Sequence, residues 1–300
     1  RVRSSAASDV YKRQLGYLPV GMRNCVSRHL EYTYQDWCIG RLAEHLGQED
    51  VAREYFESSK KVWNLWREDI ACFAPKNADG QWLDPFDPTK FHAPLIHEDP
   101  YFYEGTGRQW EYNVQHDLAG LIARHGGNEA FVRHLDEFFD QGQYHSKETM
   151  LHVPYLYIYA GRPDKTAERV RESLKRYFHP TRDGLYDNED MGCQSAWYMC
   201  STMGLYPMMG QDLYLLSTPV FRRTEVALGK SGESLVIEAP EAGPENPYVI
   251  AATLNGRPLH RAWIRHREIA NGAVIHVALG NQPSKWGTTE LPPSPMSKQY

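Results

Sequence analysis

Leu30-Glu-Tyr-Thr-Tyr-Gln-Asp-Trp-Cys-Ile-Gly-Arg-Leu-Ala-Glu-His45, then Leu46-Gly47-Gln48, then Glu49-Asp-Val-Ala-Arg-Glu-Tyr-Phe56, sets the architecture of most of the chain. Leu30, Tyr34, Trp37, Cys38, Arg41, Leu42 and His45 fall at helical spacing, and Gly47 ends that helix. A second helix follows to Trp66, with Val51, Tyr55, Val62 and Leu65 inward, so the pair reads as an antiparallel hairpin. The same texture continues downstream. The pattern predicts helices near 106–125, 128–140, 150–160, 163–177 and 192–205, parted by turns such as Gly126-Gly127 and Gly161. Between hairpin and later helices runs a long connection, 69–103, rich in Pro, Asp and aromatics (Trp82, Pro85, Phe86, Pro88, Pro94). Loops of that length are functional or disordered, and the aromatic content argues against disorder.

After Tyr206 the texture switches to short alternating or apolar runs: Leu213–Leu216, Arg223–Leu228, Ser234–Glu238, Tyr248–Leu254, Ala262–Ile264 and Val274–Ala278. Asn255-Gly256 is a hairpin-turn signal. The expected organisation is a mostly α region over 15–210, a small antiparallel β domain over 211–287, and a loose Pro/Ser-rich tail over 288–300. Residues 1–14 lack an initiator Met, an apolar stretch or any periodicity. They read as an unstructured or foreign leader, with the chain proper beginning further upstream.

Composition narrows the function. The 300 residues are 41% hydrophobic, enough for a core, while a mean hydropathy of -0.61 and the lack of a run of about 20 apolar residues argue against a membrane span. A net charge of -5 disfavours nucleic acid, whose phosphates require a basic face. Eight Trp and 19 Tyr serve a core first, but also form flat platforms for sugar rings. The five cysteines have no paired spacing, so they form neither a disulfide framework nor a zinc site.

Two segments carry chemistry. Asp187-Asn-Glu-Asp-Met-Gly-Cys-Gln-Ser-Ala-Trp197 is an acidic turn running into an apolar helix. Carboxylates are held ionised at a helix start, so the turn is either a solvated helix cap or a general base, calcium or sugar site beside Trp197 and Tyr198. Tyr103-Glu-Gly-Thr-Gly-Arg-Gln-Trp-Glu-Tyr-Asn-Val-Gln-His-Asp117 places Glu104 where the aromatic loop meets a helix. Gly105 and Gly107 allow close backbone approach. Glu104 either caps that helix or, desolvated among Tyr101, Phe102, Tyr103 and Trp110, is raised in pKa to act as a general acid. In a third segment, His145 to His152, Glu148 is either an exposed loop acid or a metal or sugar ligand. His116-Asp117 also allows a metal phosphohydrolase of the HD type, with His92, His97 and His152 as further ligands. The plainer reading makes the pair a brace for the Glu104 segment.

Taken together, these segments resemble glycoside hydrolase family 92, the calcium-dependent exo-acting α-mannosidases. Gly16-Tyr-Leu-Pro19, Leu30-Glu-Tyr-Thr-Tyr-Gln-Asp-Trp37, Asp79-Gly-Gln-Trp82 with Pro85-Phe-Asp-Pro88, and Glu104-Gly105 with Gln109 and His116-Asp117 all look like family motifs. So do Tyr155-Leu-Tyr157 with Ala160-Gly161, the run from Asn188 through Asp190 and Gly192 to Ser195-Ala-Trp-Tyr198, Thr253-Leu-Asn-Gly256 and Trp286-Gly287. The resemblance implies an (α/α)6 toroid, of which about seven of twelve helices fall in this chain, preceded in the parent enzyme by a β-sandwich domain absent here.

It also implies inverting hydrolysis of α-1,2 or related mannosidic linkages in mannan or N-glycans, outside the cell or in the periplasm. Glu104 would then be the general acid and Asp190 the general base. Calcium would be held by Glu148, Asn188 and Asp190, and Trp82, His145, Glu148 and Trp197 would contact sugar. Thr106, Gly107 and Arg108 replace the usual Asn-x-Trp, and Thr149 a usual Pro, changes that bear on linkage preference. Retention of Glu104 fits a sugar leaving group rather than a phosphate. A non-catalytic glycan-binding or scaffold fragment on the same toroid is the alternative from another class.

Overall fold

Helix α1 (Cys25–His45) packs against α2 (Glu49–Ser59), forming the hairpin its periodicity demands. Gly40 makes the close approach possible: a Cβ there would meet the Phe56 ring at 2.7 Å. Leu30, Trp37, Ala43 and Ala52 form the buried stripe. Val51, read as inward, is instead exposed (40%), as is Leu42 (59%), because the alanines beside them take the inward positions. The chain then tightens into a 3-10 turn, Lys60–Leu65, which buries Val62 and Leu65. A two-residue hairpin follows, β1 (Trp66–Arg67) against β2 (Cys72–Phe73).

In this computed structural model, residues 8, 10–142, 148–229 and 232–298 are described. They form two compact units, 1–125 with 294–300, and 126–293.

In the first unit the helix expected over 106–125 is broken into α3 (Gly107–Trp110) and α4 (Leu118–Arg124). Residues 110–116 between them are all buried, and Asp117 starts the second piece as its cap, its side chain accepting from Gly120 N–H. Turn bonds replace the helical ladder there, with Asn113 N–H to the Trp110 carbonyl at 3.1 Å and Asp117 N–H to that of Val114 at 2.9 Å. Part of the tail expected to be loose is packed. Ala119 N–H donates to Ser294 Oγ at 3.1 Å, Met296 N–H donates to the His116 carbonyl at 3.1 Å, and Met296 is buried. Residues 10–14 are helical rather than unstructured, with Lys12 Nζ 2.6 Å from Oδ1 of buried Asp36.

The second unit opens with α5 (Asn128–Asp140) and α6 (Pro163–Tyr177). Asp136 joins them, accepting from Tyr157 Oη at 2.9 Å and Lys165 Nζ at 3.0 Å. The segment expected as a helix over 150–160 is a 3-10 run, Val153–Ala160, buried at all eight positions. Helix α7 (Cys193–Met203) leads into two sheets. One has three strands, ordered β3 (Leu205–Pro207), β4 (Tyr214–Leu216), β9 (Trp263–Ile264). The other has five, ordered β5 (Arg223–Ala227), β6 (Ser234–Glu238), β10 (Ala273–Gly280), β7 (Tyr248–Leu254), β8 (Arg257–Leu259). That sheet is mixed, not antiparallel, since β10 runs parallel to β6. Alternate residues Ala273, Ile275, Val277 and Leu279 are buried, which suits β10 to the central place, and the intervening strands supply the long crossover that a parallel pair requires. The Asn255-Gly256 turn joins β7 to β8 with both residues at positive φ, as a type I′ hairpin needs.

Candidate active site

Glu104 lies in the first unit, half-buried, at a backbone φ of 45°. A non-glycine residue in the left-handed region costs about 1–2 kcal/mol and persists only where its surroundings fix it. Here they do. Buried Asp99 accepts backbone N–H bonds from His92 (2.7 Å), Tyr101 (2.8 Å) and Phe102 (2.9 Å). Buried Asn24 donates through Nδ2 to the carbonyls of Asp99 (2.7 Å) and Phe102 (3.1 Å). Tyr103 is held at both ends, its N–H on Ser27 Oγ at 3.0 Å and its carbonyl under Trp110 Nε1 at 2.7 Å.

The cap of α3 is supplied by Thr106 and Gln109, which form a reciprocal capping box. Gly105 is required by contact: a Cβ would stand 2.9 Å from the Trp110 ring. Arg108, where the family pattern has Trp, pairs with fully buried Glu111 at 2.8 Å.

Asp190 lies in the second unit at φ 51°, followed by Met191 at 57° and Gly192 at 95°. Its carbonyl accepts from Cys193 N–H at 3.2 Å, while the exposed N-terminal N–H groups of α7 go to a neighbour. Glu189 takes the Ser195 N–H at 2.9 Å on Oε1 and the Gly192 N–H on Oε2. Hydrogen bonds from Ser195, then from Gly192, hold the Glu189 carboxyl below its usual range. So the turn is a helix cap, and the capping carboxylate is that of Glu189. Burial, then the charges of Glu148, Asp190 and Glu189, push the Cys193 thiol up. Glu148 therefore acts on the same thiol as the acidic turn, although some forty residues separate them in sequence.

The remaining expected site residues are placed as follows. Asn188 is exposed, its N–H on Asp187 Oδ1 at 2.8 Å. Trp82 is half-exposed with Lys76 Nζ 4.4 Å from its ring centroid, so a cation already covers one face. Trp197 is 2% exposed, donates to the Leu151 carbonyl at 2.8 Å and stacks on Phe178 at 5.4 Å, so its ring is taken up in packing. His145 falls outside the described residues.

His116 is buried between Tyr34 and Trp37, and burial lowers its pKa to about 3. Asp117 caps α4 through Gly120 N–H at 3.1 Å and accepts from Trp63 Nε1 at 2.9 Å. Among the described residues neither joins a group of three or more metal-ligating side chains, which leaves the HD reading without its site. Sequence reasoning missed Asp99 and Asn24. The signals were present: Asp before Pro-Tyr is a turn former, and Asn tolerates the left-handed backbone that Asn24 adopts at φ 51°.

The sequence pattern of the glycosyl hydrolase family 92 catalytic domain matches residues 3–281. An uncharacterized secreted glycosidase of Arthroderma benhamiae is 31% identical over 300 residues, covering 93% of this chain and 39% of the relative. Two solved structures from Bacteroides thetaiotaomicron are similar. A family 92 inverting mannosidase has a TM-score of 0.88 and 30% identity, covering 97% of this chain and 42% of that one. A family 92 alpha-mannosidase in complex with mannoimidazole has a TM-score of 0.89 and 28% identity, covering 94% and 40%. The chain spans about two fifths of the length of these relatives.

Proposed function

The chain belongs to glycosyl hydrolase family 92, and on that premise we propose that the protein carrying it hydrolyses terminal α-mannosidic linkages, of α-1,2 or related type, in mannan or N-glycan chains with inversion. The observation that carries this reading is the shared setting of Glu104 and Asp190. Each is a carboxylate in left-handed backbone just before a helix, with helix capping supplied by other residues. Strain held at a polar junction is a mark of a working site.

In this mechanism Glu104, protonated, gives its proton to the glycosidic oxygen as the C1–O bond breaks. Asp190, ionised, takes a proton from the water that forms the new C1–O bond on the opposite face. An inverting pair keeps its carboxyl groups about 6.5–9.5 Å apart to admit that water. That one similar structure is of an inverting mannosidase supports this stereochemistry.

Calcium is proposed as the cofactor. Glu148, Asp190 and Asn188 offer only oxygen donors, the ligand type a hard cation selects, and Glu148 and Asp190 both act on Cys193. When bound, the ion supplies positive charge for the sugar hydroxyls. The helices are read as part of an (α/α)6 toroid completed by an upstream region that includes a β-sandwich domain. A secreted or periplasmic location accords with the relative named a secreted glycosidase.

The test uses the full-length protein on α-mannobiosides. Mannose is expected first as the β anomer by NMR, with chelation abolishing release and Glu104→Gln lowering kcat by about 10²–10⁴-fold, the usual share of acid–base catalysis. Undiminished activity in Glu104→Gln would overturn the assignment. Mannan binding without turnover by the wild-type protein would make it a glycan-binding protein instead.

A further inference from the structure

Next to the acidic turn, within the second unit, the chain folds a short hairpin whose purpose the mechanism above does not use. Phe178 and Leu185 form its bridge, His179 N–H donates to the Gly184 carbonyl at 3.0 Å, and Gly184 N–H returns to Thr181 at 3.1 Å. Between this hairpin and one face of α7 lies a cleft of about 590 Å³. That volume falls within the ~300–1,000 Å³ of small-molecule sites.

The floor of the cleft is aromatic and braced. Phe178 stacks on buried Trp197 at 5.4 Å with 14° between ring planes, and Trp197 is itself fixed by its N–H on Leu151. Tyr198 lies 5.3 Å from Phe178 and is 39% exposed, so ring surface is presented to solvent on a rigid support. The rim is polar. Arg182 and Asp183 stand side by side on the hairpin tip, both exposed, and Ser195 borders the opposite side.

An aromatic face for C–H groups, ringed by donors and acceptors of both signs, suits a neutral polyhydroxylated ring. It suits an anion poorly, because Asp183 sits beside Arg182. Ser195 also ties the cleft to the candidate base, since its N–H is held by Glu189, the residue before Asp190.

We propose that this cleft is a second carbohydrate subsite that holds neutral hexose units of the glycan beyond the one being cleaved. The proposal rests on the glycosidase reading for its ligand, and its test separates the two. Full-length Glu104→Gln protein is run in native gels with and without α-mannan. Retardation by mannan is expected, and adding Tyr198→Ala or Arg182→Ala should weaken it, by about 3–10-fold in apparent affinity for the aromatic change. Tyr198→Phe, which keeps the ring, should retain most of it and guards against a folding artefact, as does an unchanged Tm. In the active protein, Tyr198→Ala should lower the ratio of kcat/KM on α-mannotriose to that on an aryl α-mannoside by a similar factor.

Equal retardation of all variants, or no retardation of any, overturns the subsite. So does a Tyr198→Ala effect that is identical on both substrates. A wild-type protein that is retarded through Tyr198 and Arg182 yet releases no mannose would refute the catalytic reading while leaving the subsite standing.

Discussion

The loop that carries Glu104 and the turn that carries Asp190 meet the same geometric demand with unequal support. Both put a carboxylate residue at positive φ immediately before a helix. Behind Glu104 the buried groups of Asp99, Asn24 and Ser27 fix consecutive backbone atoms, and Trp110 closes over the Tyr103 carbonyl. Around Asp190 the turn is held by the Glu189 carboxylate on the Gly192 and Ser195 N–H groups and by the Asp190 and Glu189 carbonyls on Cys193 and Gln194 N–H, with Met191 and Tyr186 turned to solvent. Strain in a buried loop is stabilised by the fold itself. Strain in a more exposed turn rests on hydrogen bonds of its own backbone and of one surface carboxylate. The proposed acid is thus held in the buried setting and the proposed base in the more exposed one.

The largest break in that comparison should come from Asp99→Ala. Three N–H groups, that of buried Phe102 and those of half-buried His92 and Tyr101, lose their acceptor, so unfolding in urea should show a loss of about 3 kcal/mol, together with loss of the proposed mannosidase activity. A smaller loss than that from an exposed loop acid would show the Glu104 loop to be held some other way.

Next in size, Gly105→Ala should cost about 1–3 kcal/mol, because its Cβ would stand 2.9 Å from the Trp110 ring. Gly192→Ala meets nothing within 4 Å and is strained only by its φ of 95°, so about 1 kcal/mol is expected. Chemical denaturation of the two variants side by side measures packing against backbone strain.

Asp190→Gly should go the other way, gaining up to about 1 kcal/mol in the same assay by relieving the left-handed backbone, while abolishing turnover. No gain would mean that the turn carries no strain at Asp190.

The smallest effect concerns pH. The Glu189 carboxyl is held below its ordinary value in the folded protein, so its contribution is complete above the unfolded value and disappears as pH falls through the folded one. Thermal unfolding followed downward through the acid range should therefore lose a small increment in wild type that Glu189→Gln lacks.

Much of this could be read from the chain. The α1–α2 hairpin, α5, α6, α7 and the strands from β4 to β7 follow from local periodicity and turn chemistry, which belong to contiguous residues. The misreadings fall on wholly buried segments and on distant strand pairing. Residues 110–116 are apolar-faced enough to suggest one helix, but the segment is buried turn and a new helix is capped at Asp117. Val153–Ala160, likewise buried all round, becomes a 3-10 run. The parallel pairing of β10 with β6 joins strands far apart in sequence, and no local signal specifies a partner at that distance.

By itself, then, the sequence determined the helical and strand texture, the Asn255-Gly256 turn, the motifs of the family and the two carboxylates worth attention. Those depend on residue type and short spacing. Only the tertiary structure decided that Glu189 rather than Asp190 caps α7, that Trp197 is buried in packing, and that Asp99 and Asn24 hold the loop under Glu104. Each of these depends on which polar group reaches an unpaired N–H or carbonyl once water is excluded, and in a folded chain that partner can come from any distance along it.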